Sequence, residues 1–397
     1  MTLAFEFSPE LQRYERELKE WSVARIRPHA RQADTDHRPP ANYREIFETC
    51  PVKISKHVAK GRDNDLPKFP DGELMRVMAQ YEGLNYGDTW AQSYVSGGIG
   101  HVVVSLLGTP EQIDRWYEPV VRGGGVTGFG LSEPGAGSDT SGLATRAVRD
   151  GDSWVINGSK IFCSHAASAE YVVAFAVTDS EKGIASAEAF VIERGTPGLV
   201  ILKENEDKLG LRAWETTQIG FEDCVVPLEN RLGHDPSAGT NGAGGARLSA
   251  LSVLNQNRPN VSALSTTVAQ AALDLTGELL HEQRLGFRAD RWSLIQRELE
   301  GMAAALTRNR HLNRYAQWMR QHDLQNRVEA SMAKAFGPPT SERVVRRCMQ
   351  LLGPEGTSTE LLLEKWYRDL KILDIFEGTG QIQRVIVAKD FAKKARG

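Results

Sequence analysis

Cysteine is sparse in this sequence: four in 397 residues, at Cys50, Cys163, Cys224 and Cys348. No two form a Cys-x-x-Cys pair, which excludes a zinc ribbon or a dithiol redox motif and reads as reduced thiols of a cytosolic, cytoplasmic protein. The nine histidines show no His-x-x-x-His spacing, so no metal is expected. A formal net charge of -3 leaves no global field to attract nucleic acid or a membrane surface. No apolar run approaches the ~20 residues needed to span a bilayer. Charges near the start, Glu6 and Glu10 among them, exclude a signal peptide. Internal repeats, low-complexity tracts and a Gly-Lys-Ser/Thr phosphate loop are absent as well.

What is present is enough apolar residue, 41%, for a large core. At ~100–200 residues per domain, two or three domains are expected. The first third reads helical. Ser8-Pro9-Glu10 supplies an N-cap, a first-turn proline and a first-turn acid, with Leu11, Tyr14, Leu18 and Trp21 following at helical spacing. Ala41–Cys50 reads as a second helix and 51–72 as a long loop. Asp71 is expected to cap a helix carrying Leu74, Val77, Met78 and Tyr81. Thr109-Pro110-Glu111-Gln112 has the form of a capping box. From Val126 to Leu232 the pattern becomes strand-like, with a hairpin expected at Asn157-Gly158 and further strands over 171–177, 189–193, 199–202 and 217–226. This middle region reads as a small antiparallel barrel or sandwich. Asp235–Gly245 reads as a flexible connector. Beyond it there is room for four or five long helices. One is expected to start at a capping box over 357–360 and to bury Leu362, Leu363, Trp366, Leu370 and Leu373. The domains are thus 1–125 helical, 126–234 β and 235–397 helical, an α+β chain.

Three strings could carry chemistry. Phe129–Asp139 (Phe-Gly-Leu-Ser-Glu-Pro-Gly-Ala-Gly-Ser-Asp) is a small-residue loop that lets backbone approach a ligand, although a plain interdomain loop would read the same. Lys160-Ile161-Phe162-Cys163-Ser164-His165 offers a ring and a hydroxyl two residues apart on one strand face; His165, on the opposite face, reads as an ordinary strand-end histidine. Asp374–Arg384 (Asp-Ile-Phe-Glu-Gly-Thr-Gly-Gln-Ile-Gln-Arg) sets one carboxylate, Glu377, at a helix–turn–helix corner beside the free N–H groups of the next helix.

Together, in this order, the strings resemble the acyl-CoA dehydrogenase family of flavoproteins, from about Glu73 to the C-terminus. The resemblance implies an N-terminal helical domain, a middle β domain and a C-terminal four-helix bundle. It implies FAD at a subunit interface of a homotetramer or homodimer, an acyl-CoA (or acyl carrier protein) substrate, and electron-transfer flavoprotein as acceptor. Activity would be α,β-dehydrogenation in lipid metabolism, acyl-CoA to trans-2-enoyl-CoA, with Glu377 taking the α-proton and flavin N5 the β-hydride. Some members place the base beside the arginine that matches Arg258; here that neighbour is Asn257, which cannot act as a base, and this favours Glu377. Burial would raise the Glu377 pKa from ~4.3 toward ~6–7.

By the same resemblance Phe129, Leu131, Ser132, Phe162, Cys163 and Ser164 would meet the flavin, and Thr379 and Gln381 would hold FAD at the corner. Gln350 and Gly353 would reach the FAD of a neighbouring subunit. Arg284 matches a pyrophosphate contact and Gln296 a later FAD contact. Ser138 would meet FAD and CoA, and Gln92, Asn255, Arg258 and Gly378 would meet the substrate. Departures are Pro354 and Glu355 where the family turn has small residues, and a charged stretch around 53–62 in place of an apolar turn. No arginine stands near Gln92, so a neutral acyl chain is expected. Trp90 or Tyr94 could shorten its pocket. Two other readings share the scaffold. One is a flavin oxidase or monooxygenase, against which the retained Glu argues. The other is a non-enzymatic, nucleic-acid-associated relative whose basic patch would be Lys389, Lys393, Lys394 and Arg396, although these also suit a helix C-terminus.

Overall fold

A computed structural model of the protein describes residues 6–54, 66–233 and 245–396. The N-terminal part contains α1 (Pro9–Arg25), α2 (Ala30–Asp36), α3 (Tyr43–Glu48), α4 (Glu73–Leu84), α5 (Trp90–Ser96), α6 (Gly100–Leu107), α7 (Pro110–Gln112) and α8 (Glu118–Gly123), with a π-helical turn over Ile113–Tyr117 between the last two. Ser8 caps α1 through its hydroxyl, which accepts from Leu11 N, and Leu11, Tyr14, Leu18 and Trp21 are buried. The capping box at Thr109 is formed, with Gln112 closing it from the other side. Asp71 does not cap α4. Its Oδ1 accepts from Ser8 N at 2.9 Å and ties the two helix starts together.

The middle part is one curled sheet of β1 (Thr127–Gly130), β2 (Arg146–Asp150), β3 (Ser153–Ser164), β4 (Tyr171–Val177), β5 (Ala187–Glu193), β6 (Leu199–Lys203) and β7 (Thr216–Pro227). Its path runs β1-β4-β2-β3-β7-β6, with β5 on the other edge of β4. The sheet is mixed, because β1 and β2 both lie parallel to β4. The hairpin expected at Asn157-Gly158 is not a turn: β3 runs straight through it. The chain reverses at Gly151-Asp152, between β2 and β3. Gly158 instead sits at a register shift against β7, with φ 141°. A Cβ there would fall 2.6 Å from Thr145 Oγ1, so glycine serves a bulge and a close approach.

The C-terminal part has three long helices, α9 (Gly245–Glu282), α10 (Ala289–Gln321) and α11 (Arg327–Leu352), and two shorter ones, α12 (Leu363–Leu373) and α13 (Gly380–Lys394). The connector expected over 235–245 lies, but for Gly245, outside the described residues. The capping box expected at 357–360 becomes a short 3-10 turn, and Leu362 at φ 62° breaks the chain before α12 begins. Lys393 and Lys394 fall in the last turn of α13, where cations suit the helix dipole. One core joins the N-terminal helices to this bundle, with Leu11, Trp90, Val261, Leu306 and Trp366 among its members. A second core packs Val103, Val104 and Trp116 on the face of β4 and β5. Among the described residues no helix is long and apolar enough to cross a membrane, and no group of three potential metal ligands gathers.

Candidate active site

The turn between α12 and α13 is tightly built. Asp374 O accepts from Gly380 N at 2.9 Å, and Thr379 Oγ1 caps α13 by accepting from Ile382 N. Glu377 and Gly378 both take left-handed backbone, φ 58° and 89°. For glutamate this conformation is costly, so neighbouring contacts must hold it. Arg258, buried on α9, donates from Nε to Glu377 O at 3.3 Å, and its Nη1 donates to Asn255 Oδ1 at 2.6 Å. Gln383 Nε2 donates to Gly378 O at 3.1 Å. A Cβ on Gly378 would meet that same nitrogen at 2.5 Å.

Asn257 Nδ2 donates to Glu377 Oε1. The other oxygen, Oε2, is cut off from solvent and has no donor among the described residues, although part of the side chain stays accessible. Burial pushes the Glu377 carboxyl up to about 7, against the opposing pull of Lys334, Asn257 and Arg258. Burial pushes Lys334 down to about 8 and Arg258 down to about 10, each opposed by the charge of Glu377. Burial also raises the Tyr81 phenol, and Glu377 adds to that rise. Sequence pattern placed Tyr81 on an apolar helix face and carried no signal of this neighbour.

A second group of residues forms where the loop after β1 meets the end of β3. Ile161 N donates to Ser132 O at 2.9 Å, pairing the two loop strings. Buried Lys160 donates to Leu131 O at 3.2 Å and to Glu133 Oε1 at 2.6 Å. Glu133 in turn accepts from Ala144 N and Thr145 N, so one ion pair pins the loop from Leu131 to Thr145. Phe162 stands at φ 60° and is 62% exposed, a large apolar ring left largely uncovered. A register shift between Lys160 and Cys163 interrupts simple face alternation here; Cys163 is buried and Ser164 half-buried opposite Thr216. The Phe129 ring packs edge-on against Phe175 at 5.8 Å, so its side chain belongs to the core.

The two groups meet through the segment that leads into β7. Trp214 packs edge-on to Phe376 at 6.3 Å and donates to Thr89 O at 2.9 Å. His165 is no loose strand end: it is buried, and its Nε2 lies 3.0 Å from Ser93 Oγ on α5. Beneath them Lys365 is enclosed between Asp88 at 2.5 Å and Asp369 at 2.8 Å. Gln92 is buried with its Oε1 held by Asn85 Nδ2 at 3.1 Å. Ser138 and Gln381 are exposed.

Arg284, Gln296 and Gln350 are exposed and Gly353 half-buried, at the far end of the bundle. Gln350 follows Lys334 by about four and a half turns of α11, and at 1.5 Å per residue that is about 24 Å along the axis. Within one chain these four residues are therefore not brought to Glu377.

The family model described as acyl-CoA dehydrogenase, middle domain, matches residues 128–224, and the one described as acyl-CoA dehydrogenase, C-terminal domain, matches 244–392. The chain is similar to the short-chain specific acyl-CoA dehydrogenase of rat mitochondria (Rattus norvegicus), 35% identical over 292 residues, covering 73% of this chain and 68% of that protein. It is also similar to the probable acyl-CoA dehydrogenase YngJ of Bacillus subtilis, 31% identical over 392 residues, 98% of this chain and all (100%) of the relative. Butyryl-CoA dehydrogenase from Megasphaera elsdenii superposes with a TM-score of 0.86 at 26% identity, over 98% of this chain and 100% of that one. With this agreement of sequence and fold along the chain, the protein belongs to the acyl-CoA dehydrogenase family of oxidoreductases that act on acyl-CoA.

Proposed function

We propose that the chain is an FAD-dependent dehydrogenase that converts an acyl-CoA to the trans-2-enoyl-CoA, with Glu377 as its base. The observation that carries this reading is the Glu377 corner. A carboxyl pushed up to about 7 sits with one oxygen held by Asn257 and the other free to receive a proton. Such a group is matched to proton abstraction near neutrality. Breaking the α-C–H bond would place the proton on Glu377 Oε2 and negative charge on the thioester oxygen. The backbone N–H of Glu377 would donate to that oxygen, an interaction strongest in the charged state.

Loss of the β-hydrogen with its electron pair completes the double bond, and bound FAD would supply the acceptor for it. The residues present suit that group. The exposed Phe162 ring offers a stacking face, while Leu131, Ser132 and Ser164 lie on the loop and strand end that Glu133 and Lys160 fix. Thr379 and Gln381 start α13, whose first N–H groups suit an anionic phosphate or a hydroxyl. Arg284, Gln296, Gln350 and Gly353 lie on the surface far from the corner, and this supports a flavin shared with a second copy of the chain, in a dimer or tetramer. Asn255, Arg258, Gly378 and Ser138 would face the thioester and CoA. No arginine stands near Gln92 in the sequence to match a dicarboxylic acyl group, which supports a neutral acyl chain. For the acceptor, one relative bears an electron-transfer flavoprotein in its name: the caffeyl-CoA reductase-Etf complex subunit CarC of Acetobacterium woodii, 33% identical over 290 residues. Electron-transfer flavoprotein is accordingly the proposed partner.

The test is turnover of a panel of neutral and dicarboxylic acyl-CoAs with electron-transfer flavoprotein. Enoyl-CoA product from a neutral member supports the reading. A yellow protein inert to every thioester would overturn it.

A further inference from the structure

Lys334 is fully buried in α11. Its Nζ lies 3.5 Å from Gly378 O and 6.0 Å from the centre of the Phe376 ring. Two successive carbonyls of the strained corner are therefore each approached by a buried cation from a different helix: Glu377 O by Arg258 of α9, and Gly378 O by Lys334 of α11. A buried ammonium is expensive unless anions compensate it. The carboxylates whose charge acts on it are Asp374 and Glu377, both on the same short turn.

We propose that Lys334 is a positioning residue for Glu377. It fastens the left-handed corner at the Gly378 carbonyl and brings a buried positive charge to the turn that carries Glu377 and Asp374. The proposal rests on Glu377 being the base. It adds a division of labour. Asp374 shares the Lys334 charge, so the two carboxylates compete for one cation. The groups that face this cluster are Arg258 from α9, Tyr81 from α4, and, acting on Asp374, Glu342 from α11, Lys371 from α12 and Arg384 from α13.

The test uses the flavin-loaded full-length protein. One reading is the pH profile of kcat. The other is the infrared carboxylic-acid band of Glu377, identified by its loss in Glu377→Gln. In Lys334→Met, which keeps the packing and removes the charge, both the acid limb and the band titration should move up by about one pH unit, with KM little changed. Lys334→Arg should hold both near the wild-type position. Asp374→Asn should move both down, because Lys334 then faces Glu377 alone; this variant decides the question if Lys334→Met does not fold. A folded Lys334→Met with an unmoved limb, or an Asp374→Asn limb that stays or rises, overturns the proposal. If Glu377→Gln keeps both its activity and the band, it is the base assignment that fails, whatever Lys334 does.

Discussion

Glu377 takes its side-chain hydrogen bond from Asn257, a residue 120 positions earlier in the chain, on a different helix. The amide is neutral, so it orients the carboxylate without pairing its charge. A charged partner at this position would change the chemistry. Replacing Asn257 with Asp puts two carboxylates in contact, and like charges drive one of the pair upward. Asn257→Asp should move the acid limb of the rate profile up by more than about one pH unit, with activity recovered in alkaline buffer. An unchanged limb would mean that the two side chains do not meet in the working enzyme.

Folding raises the Glu377 carboxyl from its usual value near 4.5 to about 7. The native state therefore binds more protons than the unfolded state across that window. Stability contributed by this group is complete below about 4.5 and is lost as pH rises through 7. Glu377→Gln should melt close to wild type at pH 4.5 and above it at pH 8, the gap opening between these values. Melting curves in a pH series check this. A gap that narrows as pH rises would contradict it.

Lys160 and Glu133 are both buried, and their bond pins the loop that would meet the flavin. Although burial acts to raise Glu133, its bonds from Lys160, Thr145 and Ala144 hold it below the usual carboxylate range. Lys160→Met leaves that carboxylate uncompensated and should cost about 3–5 kcal/mol. Glu133→Gln added to Lys160→Met should recover part of the loss. Denaturant titration measures the stability, and flavin retention on a gel-filtration column reports the loop.

Ser93 and His165 join α5 to the end of β3. Ser93→Ala removes one buried bond, an expected loss of about 1 kcal/mol. The affected bond lies between the helical and β parts, so the melting temperature should fall while the flavin spectrum is retained.

Local signals in the chain proved readable where the chemistry is local. Ser8 and Thr109 cap the helices they precede, and the apolar spacing of α1 and α12 buries the expected side chains. Asn157-Gly158 misled because the same dipeptide that fits a tight turn also fits a bulge, and only the approach of Thr145 distinguishes them. Leu362 at positive φ could not be foreseen, since leucine rarely takes that conformation without tertiary contacts. The corner at Glu377 was legible through its motif. Its electrostatics were not: Lys334, Tyr81 and Asn257 come from three other helices. The same is true of Lys365, whose partner Asp88 lies 277 residues away. Sequence spacing reports neighbours within an element, not those that packing brings together.

In the proposed reaction Glu377 removes the α-proton. Anaerobic mixing of the flavin-loaded protein with a neutral acyl-CoA, followed at the flavin absorption band, tests it most directly. Rapid bleaching is expected for wild type, and a rate lower by about 10²–10⁴ for Glu377→Gln with flavin content unchanged. Equal bleaching rates in the two proteins would contradict it and move the base elsewhere.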